Sequence, residues 1–569
     1  MAGVYTLLWV AILIILVSAF NPRFSSSPEG NHYYRSMGAV ILVLVTACSL
    51  GHWLFTRLFW NQRVKGLKGK DSSDTTDIRS PRWIMWLFFF IYIPIFSLIT
   101  PFAAVVSVEN AWGAYRWHQI RTNLESKGEK LDFSELETGK ILTEQNINSL
   151  PIFKEARENL KGNLLQLLNL PERHKPRRAS KSRAPLSLDE WAIAYQTAIS
   201  NQVDQSVSSR TGKSDLPLYP KASEGANPAT IVLTGLSVAD ELMQEICEAN
   251  HLPFSRSYTD QDLVDLSFHF SELSVYKSIA RFLKLRIQTR LTLGNSEAAM
   301  TDLQCAMRLA NGMERKLLIE YLLHQSLCHL NAFIVWDGLQ QHGWKEEQLH
   351  SIQKEFEKME FHKSLLGALA FERTWGISFM DEWSKAPVKH TQNENHQMGQ
   401  RTWPKYAIRG WTRLNQVALA LTFEEWIKPA RSRNPDKGSV TGLELLKQMD
   451  IRTWENKHTY NIHYTLAKMT LPAYEKAFEK SLKAKQAMDS LSTACALERY
   501  YLKNKSYPET LDALVPEYVE EIPRDIMDRS ILKYGRTEKG FFKLWSVGSD
   551  GEDNGGDSKD QKDWVWPME

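Results

Sequence analysis

Three long apolar stretches lie within the first 108 residues, and they limit what this part of the chain can form. They cover residues 4–20, 37–60 and 83–108. A helix needs roughly 20 apolar residues to cross a bilayer, which the second and third stretches provide and the first nearly provides. We therefore predict that residues 1–108 form a transmembrane region of three helices.

The charges of the intervening loops predict the direction of these helices. The loop between the second and third stretches is basic: Arg63, Lys65, Lys68, Lys70, Arg79 and Arg82. The loop between the first two carries only Arg23 and Arg35. Because basic loops stay on the cytoplasmic side, we expect a multi-pass protein of the bacterial inner membrane, with its N-terminus inside and a large C-terminal domain in the periplasm. The first stretch has no Lys or Arg before it, which argues against a cleaved signal peptide.

The rest of the chain gives no sign of binding nucleic acid. The whole chain contains 69 Lys and Arg against 66 Asp and Glu, for a net charge of +3. This balance gives no general attraction to phosphate. The basic run at residues 173–183 is rich in Pro and Ser, so it is interpreted as a solvated loop. We expect no nucleic-acid partner.

Residues 259–480 have the pattern of a helical-hairpin domain, after a helical and loop-rich region at residues 109–258. Small and apolar residues follow one helical face: Ala299, Leu303, Ala306 and Ala310. The preceding piece, L-T-L-G-N-S-E-A-A at residues 291–299, resembles the turn of a tetratricopeptide-type repeat. No regular period follows, so we predict packed helical hairpins, TPR-like but not a true solenoid. We expect a protein partner in the cell envelope, although a packed core explains the pattern without one.

The cysteines exclude some kinds of site. Of the five, no two form a C-x-x-C pair, which removes support for structural zinc and for thioredoxin-like chemistry. Cys305 and Cys328 lie on consecutive predicted helices and could pair in an oxidising compartment. Small buried free thiols are the interpretation that the pattern favours.

The pattern changes at about residue 481. Prolines interrupt the helix, and residues 531–534 and 541–547 predict two short strands joined by a turn that ends at Gly540. An acidic, glycine-rich loop follows at residues 548–563. Residues 481–569 are therefore predicted to form a small α+β module.

Two motifs in this module resemble the soluble domain of the major pseudopilins of type II secretion systems. The first is A-L-E-R-Y at residues 496–500, followed by Tyr507-Pro508. The second is L-W-S-V-G-S-D-G at residues 544–551, closed by Asp563-Trp564. The order of helical domain and module also resembles bacterial membrane proteins of unassigned activity, which implies no reaction.

The pseudopilin resemblance implies a calcium site in the acidic loop. It places the ligands at the carbonyl of Val547 and at the carboxylates of Asp550 and Asp563, with Asp560 as a further candidate. The loop composition agrees with this, because Ca²⁺ takes six to eight oxygen ligands and glycines let main-chain carbonyls turn toward an ion. The spacing of the loop departs from that of the family.

One departure from the pseudopilins concerns maturation. A pseudopilin has a hydrophobic N-terminal helix, but residues 462–483 here contain Lys468, Glu475, Lys476, Glu479 and Lys480. This segment cannot span a membrane. We expect a module at the end of a larger protein that is not processed as a pilin.

The sequence contains no catalytic signature, neither H-E-x-x-H, G-x-S-x-G, a P-loop nor G-x-G-x-x-G. The carboxylate doublets Asp381-Glu382 and Glu424-Glu425 are typical of solvated helix faces. The predicted fold class is mainly α, with a transmembrane segment, a helical-hairpin outer domain and a pseudopilin-like module. The predicted function is a non-enzymatic envelope protein. The alternatives are an accessory component of a type II secretion or pilus-like assembly and a periplasmic hydrolase with an unrecognised site.

Overall fold

The structure is a computed structural model, mostly helical, with one three-stranded sheet near the C-terminus. It describes residues 93–132, 143–158, 164, 168, 187–208, 219–249, 251–252, 255–256, 271–385, 409–449, 462–538, 540–557 and 562–567.

The helices and strands are numbered here in chain order. The helices before the hairpin domain are α1 (Ile93–Ser126), α2 (Pro151–Glu158), α3 (Leu188–Ser208), α4 (Pro228–Leu236) and α5 (Asp240–Ala249). The hairpin domain contains α6 (Ser271–Thr292), α7 (Ser296–Asn311), α8 (Leu318–Leu339), α9 (Glu346–Glu357), α10 (Phe361–Lys385), α11 (Arg409–Ser432) and α12 (Gly442–Gln448). The C-terminal part contains α13 (Thr465–Asn504), β1 (Lys533–Arg536), β2 (Phe542–Ser546) and β3 (Trp564–Trp566).

The predicted fold class is wrong in its transmembrane part. Among the residues that the structure describes, no helix is long and apolar enough to cross a membrane. In α1 the described apolar sequence occupies residues 93–108, and Glu109 and Asn110 then continue the same helix, so the described part of the third stretch is shorter than the roughly 20 residues that a span requires. The predicted spans at 4–20 and 37–60, and residues 83–92 of the third, lie outside the described residues.

The chain divides into two compact units. One comprises residues 1–131, 376–422 and 450–472, and the other comprises residues 132–375, 423–449 and 473–569. The second unit contains the hairpins α6 to α9, the sheet and both ends of the predicted calcium loop. The candidate sites below lie in this second unit.

The hairpin between α6 and α7 forms where the sequence predicts it. Gly294 adopts a positive φ of 74°, which lets the chain reverse, and the side chain of Asn295 caps α7 by accepting from the N–H of Ala298. The predicted face of Ala299, Leu303, Ala306 and Ala310 is fully buried. Small residues there allow α6 and α7 to pack closely.

A disulfide joins α5 to α7, between Cys247 and Cys305. The favoured prediction of buried free thiols holds for Cys328 and Cys495, and it is wrong for Cys247 and Cys305. The pairing of Cys305 with Cys328, which the sequence left open, does not form, because α7 places Cys305 beside Cys247 of α5.

The C-terminal sheet has the order β1-β2-β3, and both pairings are antiparallel. Lys533 pairs with Trp545, and Leu544 pairs with Trp566. Along β2 the buried residues alternate with half-buried ones, as expected for a sheet that covers a core on one face. The first two strands lie close to their predicted positions, and β3 was not predicted.

The C-terminal module and the hairpins share one hydrophobic core within their unit. A continuous cluster of buried side chains includes Leu339 and Trp344 after α8, Leu497 in α13 and Phe542 in β2. From residue 481 to residue 499, α13 is buried on nearly all sides. A helix that is buried around most of its circumference requires partners on several faces, and here the hairpins and the sheet supply them.

Candidate functional site

The acidic loop connects β2 to β3, and its two ends cross closely. Gly548 has a positive φ of 66°, and a Cβ at this position would overlap the carbonyl oxygen of Lys562. Only glycine permits this approach. The loop therefore begins and ends at one point beside the sheet, with Val547 at the end of β2 and Asp563 at the start of β3.

Asp563 holds the loop closed through main-chain hydrogen bonds. Its Oδ1 accepts from the N–H of Asn554 at 3.2 Å, and its Oδ2 accepts from the N–H of Gly556 at 2.6 Å. The residue is buried, with 3% of its surface exposed. Both carboxylate oxygens of Asp563 are therefore engaged by main-chain donors of the loop, which fixes Asn554 and Gly556 beside the start of β3.

Asp550 lies at the exposed side of the same loop. Its Oδ1 accepts from the N–H of Glu552 at 3.1 Å, and its Oδ2 lies 3.5 Å from the side-chain nitrogen of Asn554. The structure thus brings two of the predicted ligands, Asp550 and Asp563, to the two sides of Asn554. Asp560 lies outside the described residues.

The donor chemistry of this loop fits calcium, because the groups near Asn554 are carboxylate and carbonyl oxygens without nitrogen or sulfur ligands. Each carboxylate oxygen of Asp563 keeps a second lone pair after accepting one N–H. In the part of the chain that the structure describes, no group of three or more His, Cys, Asp or Glu side chains is arranged to hold a metal ion. Main-chain carbonyls would have to supply much of the coordination.

A further aspartate, Asp525, is hydrogen-bonded to the end of β2, where the acidic loop begins. It is fully buried and accepts three hydrogen bonds, from the N–H of Met527, the N–H of Val547 and the hydroxyl of Ser546, each at 2.8 Å. Burial raises the pKa of Asp525 above its ordinary value, and the three donors oppose that rise. The sequence analysis missed this residue, and its position in I-P-R-D before a predicted strand was the only local signal.

The sheet is fixed to α8 by aromatic packing. The ring of Trp336 contacts Trp566 edge-on at a centroid distance of 4.9 Å, and it also contacts Phe541 and Phe542 at 5.2 and 5.7 Å. Such edge-to-face pairs add about 0.5–1.5 kcal/mol each beyond the area that they bury. Trp336 therefore couples the hairpin domain directly to the strands that bound the acidic loop.

A polar cluster fixes α13 in the same way. Glu498 is 1% exposed, and its two oxygens accept from the hydroxyl of Tyr507 and pair with Nδ1 of His342, both at 2.6 Å. The next residue, Arg499, donates to Glu346 at 2.8 Å and to Gln353 at 3.1 Å. Two residues of the A-L-E-R-Y motif thus bind the hairpins α8 and α9, which gives them a structural role.

Of the two carboxylate doublets, Asp381 has structural partners: it forms an ion pair with Arg413 at 2.6 Å, and Gln416 donates to it at 3.4 Å. Glu425 is exposed and Glu424 is half-buried on α11. The side chain of Glu382 lies outside the described part of the structure. The exposure of Glu425 agrees with the solvated helix face that the sequence predicted.

A scan against protein-family models, a search of curated proteins and a search of solved structures each found no match for this chain. The pseudopilin resemblance therefore remains a prediction that rests on the two motifs.

Proposed function

We propose that this chain is a non-enzymatic protein of the cell envelope, which presents a helical interaction domain and a calcium-stiffened, pseudopilin-like module outside the cytoplasm. The observation that carries the proposal is the disulfide between Cys247 and Cys305. Disulfides persist in oxidising compartments such as the periplasm and are rare where glutathione keeps thiols reduced. The bond links α5 to α7 at the first hairpin, where Cys305 is 4% exposed.

The packing of the module supports the interpretation that the module is a fixed part of a larger domain, rather than a subunit of a filament. A pseudopilin assembles through the helix that precedes its globular part. In this chain the corresponding helix, α13, is largely buried from residue 481 to residue 499. Within it, Ser481 accepts from the hydroxyl of Tyr321 and Gln486 accepts from the N–H of Ile526. This burial leaves little of that part of the helix for packing into a filament, which favours the envelope protein over the pilus-like assembly.

Calcium has a mechanical role in this proposal. Asp550 lies near the side chain of Asn554, and Asp563 accepts from the main-chain N–H of the same residue. Carboxylates close together repel one another unless a cation or hydrogen bonds neutralise them. Bound calcium would stiffen residues 548–562 and so hold β3 against β2. The loop would then keep one shape on the surface of the module.

The oxidation state of the cysteines in cells tests the location. Cells are denatured in acid, free thiols are blocked with one maleimide, and disulfides are then reduced and labelled with a heavier maleimide. We expect the heavy label on Cys247 and Cys305 and the light label on Cys328 and Cys495, which are free in the structure. Light label on Cys247 and Cys305 would place the domain in a reducing compartment and overturn the proposal.

Site-specific photo-crosslinking tests the interaction role. A photoreactive residue replaces one exposed apolar side chain at a time, either Ile193 or Ile319, which are 62% and 42% exposed. The control is the same replacement at Lys358, on an exposed charged surface. A discrete adduct from an apolar position, absent from the control, is expected. If neither position gives an adduct in cells, the interaction role fails.

A further inference from the structure

Three soft metal-binding side chains meet in the core beside α8. His324 and Cys328 are four residues apart on this helix and so lie on one face. Met359 follows α9 and reaches the same place. The Sγ of Cys328 lies 3.5 Å from Nε2 of His324 and 3.9 Å from Sδ of Met359. The three groups come from two separate segments of the hairpin domain.

All three side chains are withdrawn from solvent. Cys328 is fully buried, His324 is 3% exposed and Met359 is 9% exposed. Burial lowers the pKa of His324 to about 3, so its imidazole is neutral and carries a lone pair. Burial also raises the pKa of Cys328 to about 12, so the thiol keeps its proton in the absence of a metal. The cluster is neutral as it stands.

The spacing of the ligand atoms fits one small ion. With metal–sulfur and metal–nitrogen bonds of about 2.3 and 2.0 Å, as at zinc, a planar three-coordinate ion separates two sulfurs by about 4.0 Å. The same geometry separates sulfur from nitrogen by about 3.7 Å. The two distances at Cys328 come within a few tenths of an ångström of these values. The group that must move is Arg315, which lies against Nε2 of His324.

We propose that His324, Cys328 and Met359 form a site for Cu⁺. Thiolate and thioether sulfur select Cu⁺ among the biological metals, and imidazole suits copper as well. On binding, the Cys328 thiol loses its proton and a copper–sulfur bond forms, with no change of oxidation state. The product is neutral, because the charge of Cu⁺ balances that of the thiolate, and a neutral site is the kind that a buried core accommodates.

Arg315 competes with the metal for this site. Its Nη1 lies 3.2 Å from Nε2 of His324 and donates to that nitrogen. A neutral imidazole has one lone pair, so Arg315 and Cu⁺ cannot use Nε2 at the same time. Copper must displace the guanidinium, which is charged and only partly buried and can turn toward solvent. Removing Arg315 should therefore strengthen binding.

The test is a titration of the full-length chain with Cu⁺, supplied as its acetonitrile complex without oxygen or reductant and in competition with bicinchoninate. The background carries Cys48→Ser, since Cys48 lies outside the described residues. We expect one Cu⁺ per chain and the release of one proton per ion. X-ray absorption should show two sulfur ligands and one nitrogen ligand.

Variants separate this site from adventitious thiol binding. Cys328→Ser and the volume-conserving Met359→Leu should each weaken Cu⁺ binding at least about tenfold, while Arg315→Ala should strengthen it. Cys495→Ser removes the other free thiol among the described residues and should change nothing. Circular dichroism checks that each variant folds. The proposal is overturned by full affinity in folded Cys328→Ser, by loss of affinity in Cys495→Ser, or by failure of the parent chain to compete with bicinchoninate.

Discussion

Nδ1 of His342 lies 2.6 Å from Oε1 of Glu498. This contact joins the turn after α8 to the C-terminal part of α13. The imidazole also stacks on Tyr501 at a centroid distance of 4.3 Å. His342 adopts a positive φ of 51°, which an L residue occupies at a cost. The interaction with Glu498 therefore holds a strained backbone in place.

Two substitutions of His342 should separate the stabilisation that comes from its pair with Glu498 from the destabilisation that comes from its positive φ. His342→Ala leaves Oε1 of Glu498 buried without its partner, and we expect it to lower the free energy of unfolding by about 1–3 kcal/mol. His342→Gly loses the same pair but removes the strain, so it should be about 1 kcal/mol more stable than the alanine variant. Urea unfolding of both variants measures the difference. Equal stability of the two would mean that the backbone stores no strain.

Two glycines in the acidic loop form a matched pair. Gly548 and Gly555 have φ values of 66° and 70°, but only at Gly548 would a Cβ overlap main-chain atoms. Gly555→Ala should therefore cost roughly 1–2 kcal/mol for the left-handed backbone alone. Gly548→Ala should cost about 1–3 kcal/mol more, because the strand ends must move apart. Thermal unfolding compares them, and a loss at Gly548 no larger than that at Gly555 would contradict the close crossing.

The sequence was informative where contacts are local. The spacing of Ala299, Leu303 and Ala306 predicted α7, and the piece at residues 291–299 predicted the turn that contains Gly294. Both were predictable because residues close together in the chain determine them. The first two strands were predicted for the same reason. The partner of Cys305 was not, since the bonded Cys247 is 58 residues distant and nothing local distinguishes it from Cys328. Pairing over such distances depends on how the helices pack.

The acidic loop between β2 and β3 was likewise predictable only in part. The pseudopilin resemblance implied Asp550 and Asp563, which the structure does bring to one loop. It did not indicate Asp525, whose three donors come from Met527, Ser546 and Val547 and meet it only after the sheet has formed. The strand Trp564–Trp566 is too short for alternation to identify. The transmembrane prediction came from apolar length and loop charge, and among the residues that the structure describes no helix is long and apolar enough to cross a membrane.

Asp525 should make stability depend on pH. Its folded pKa is raised, so its contribution is complete below its unfolded pKa of about 3.9 and is lost as the pH rises through the folded value. Asp525→Asn does not titrate and leaves the N–H of Val547 without an acceptor, at a cost of about 1–3 kcal/mol. The advantage of the native chain over this variant should shrink as the pH rises through that window. Urea unfolding at several pH values measures it, with the exposed Glu521→Gln as the control; a constant difference would contradict the raised pKa.

The disulfide should contribute measurably to stability. Cys247→Ser combined with Cys305→Ser removes a link between residues 58 apart. The unfolded chain then gains freedom, and we expect a loss of about 2–4 kcal/mol. Dithiothreitol should lower the melting temperature of the native chain toward that of the double variant and leave the double variant unchanged. A native chain that is indifferent to the reductant would show that the bond does not form.

Calcium should raise the melting temperature of the full-length chain, because an ion that binds only the folded loop stabilises it in proportion to the logarithm of its concentration. The full chain is required, since the module shares its core with the hairpins. Melts are compared in excess EDTA and in millimolar Ca²⁺, with Mg²⁺ as a second ion. Asp550→Ala removes a carboxylate that faces Asn554 and should abolish the shift, while Glu552→Gln, on the exposed side of the same loop, should preserve it. Identical melts of the native chain in both buffers would remove calcium from the proposed function. A shift that persists in Asp550→Ala would move the ion away from Val547, Asp550 and Asp563. The sign and size of the shift therefore decide whether the loop is held by an ion or by the hydrogen bonds of Asp563 alone.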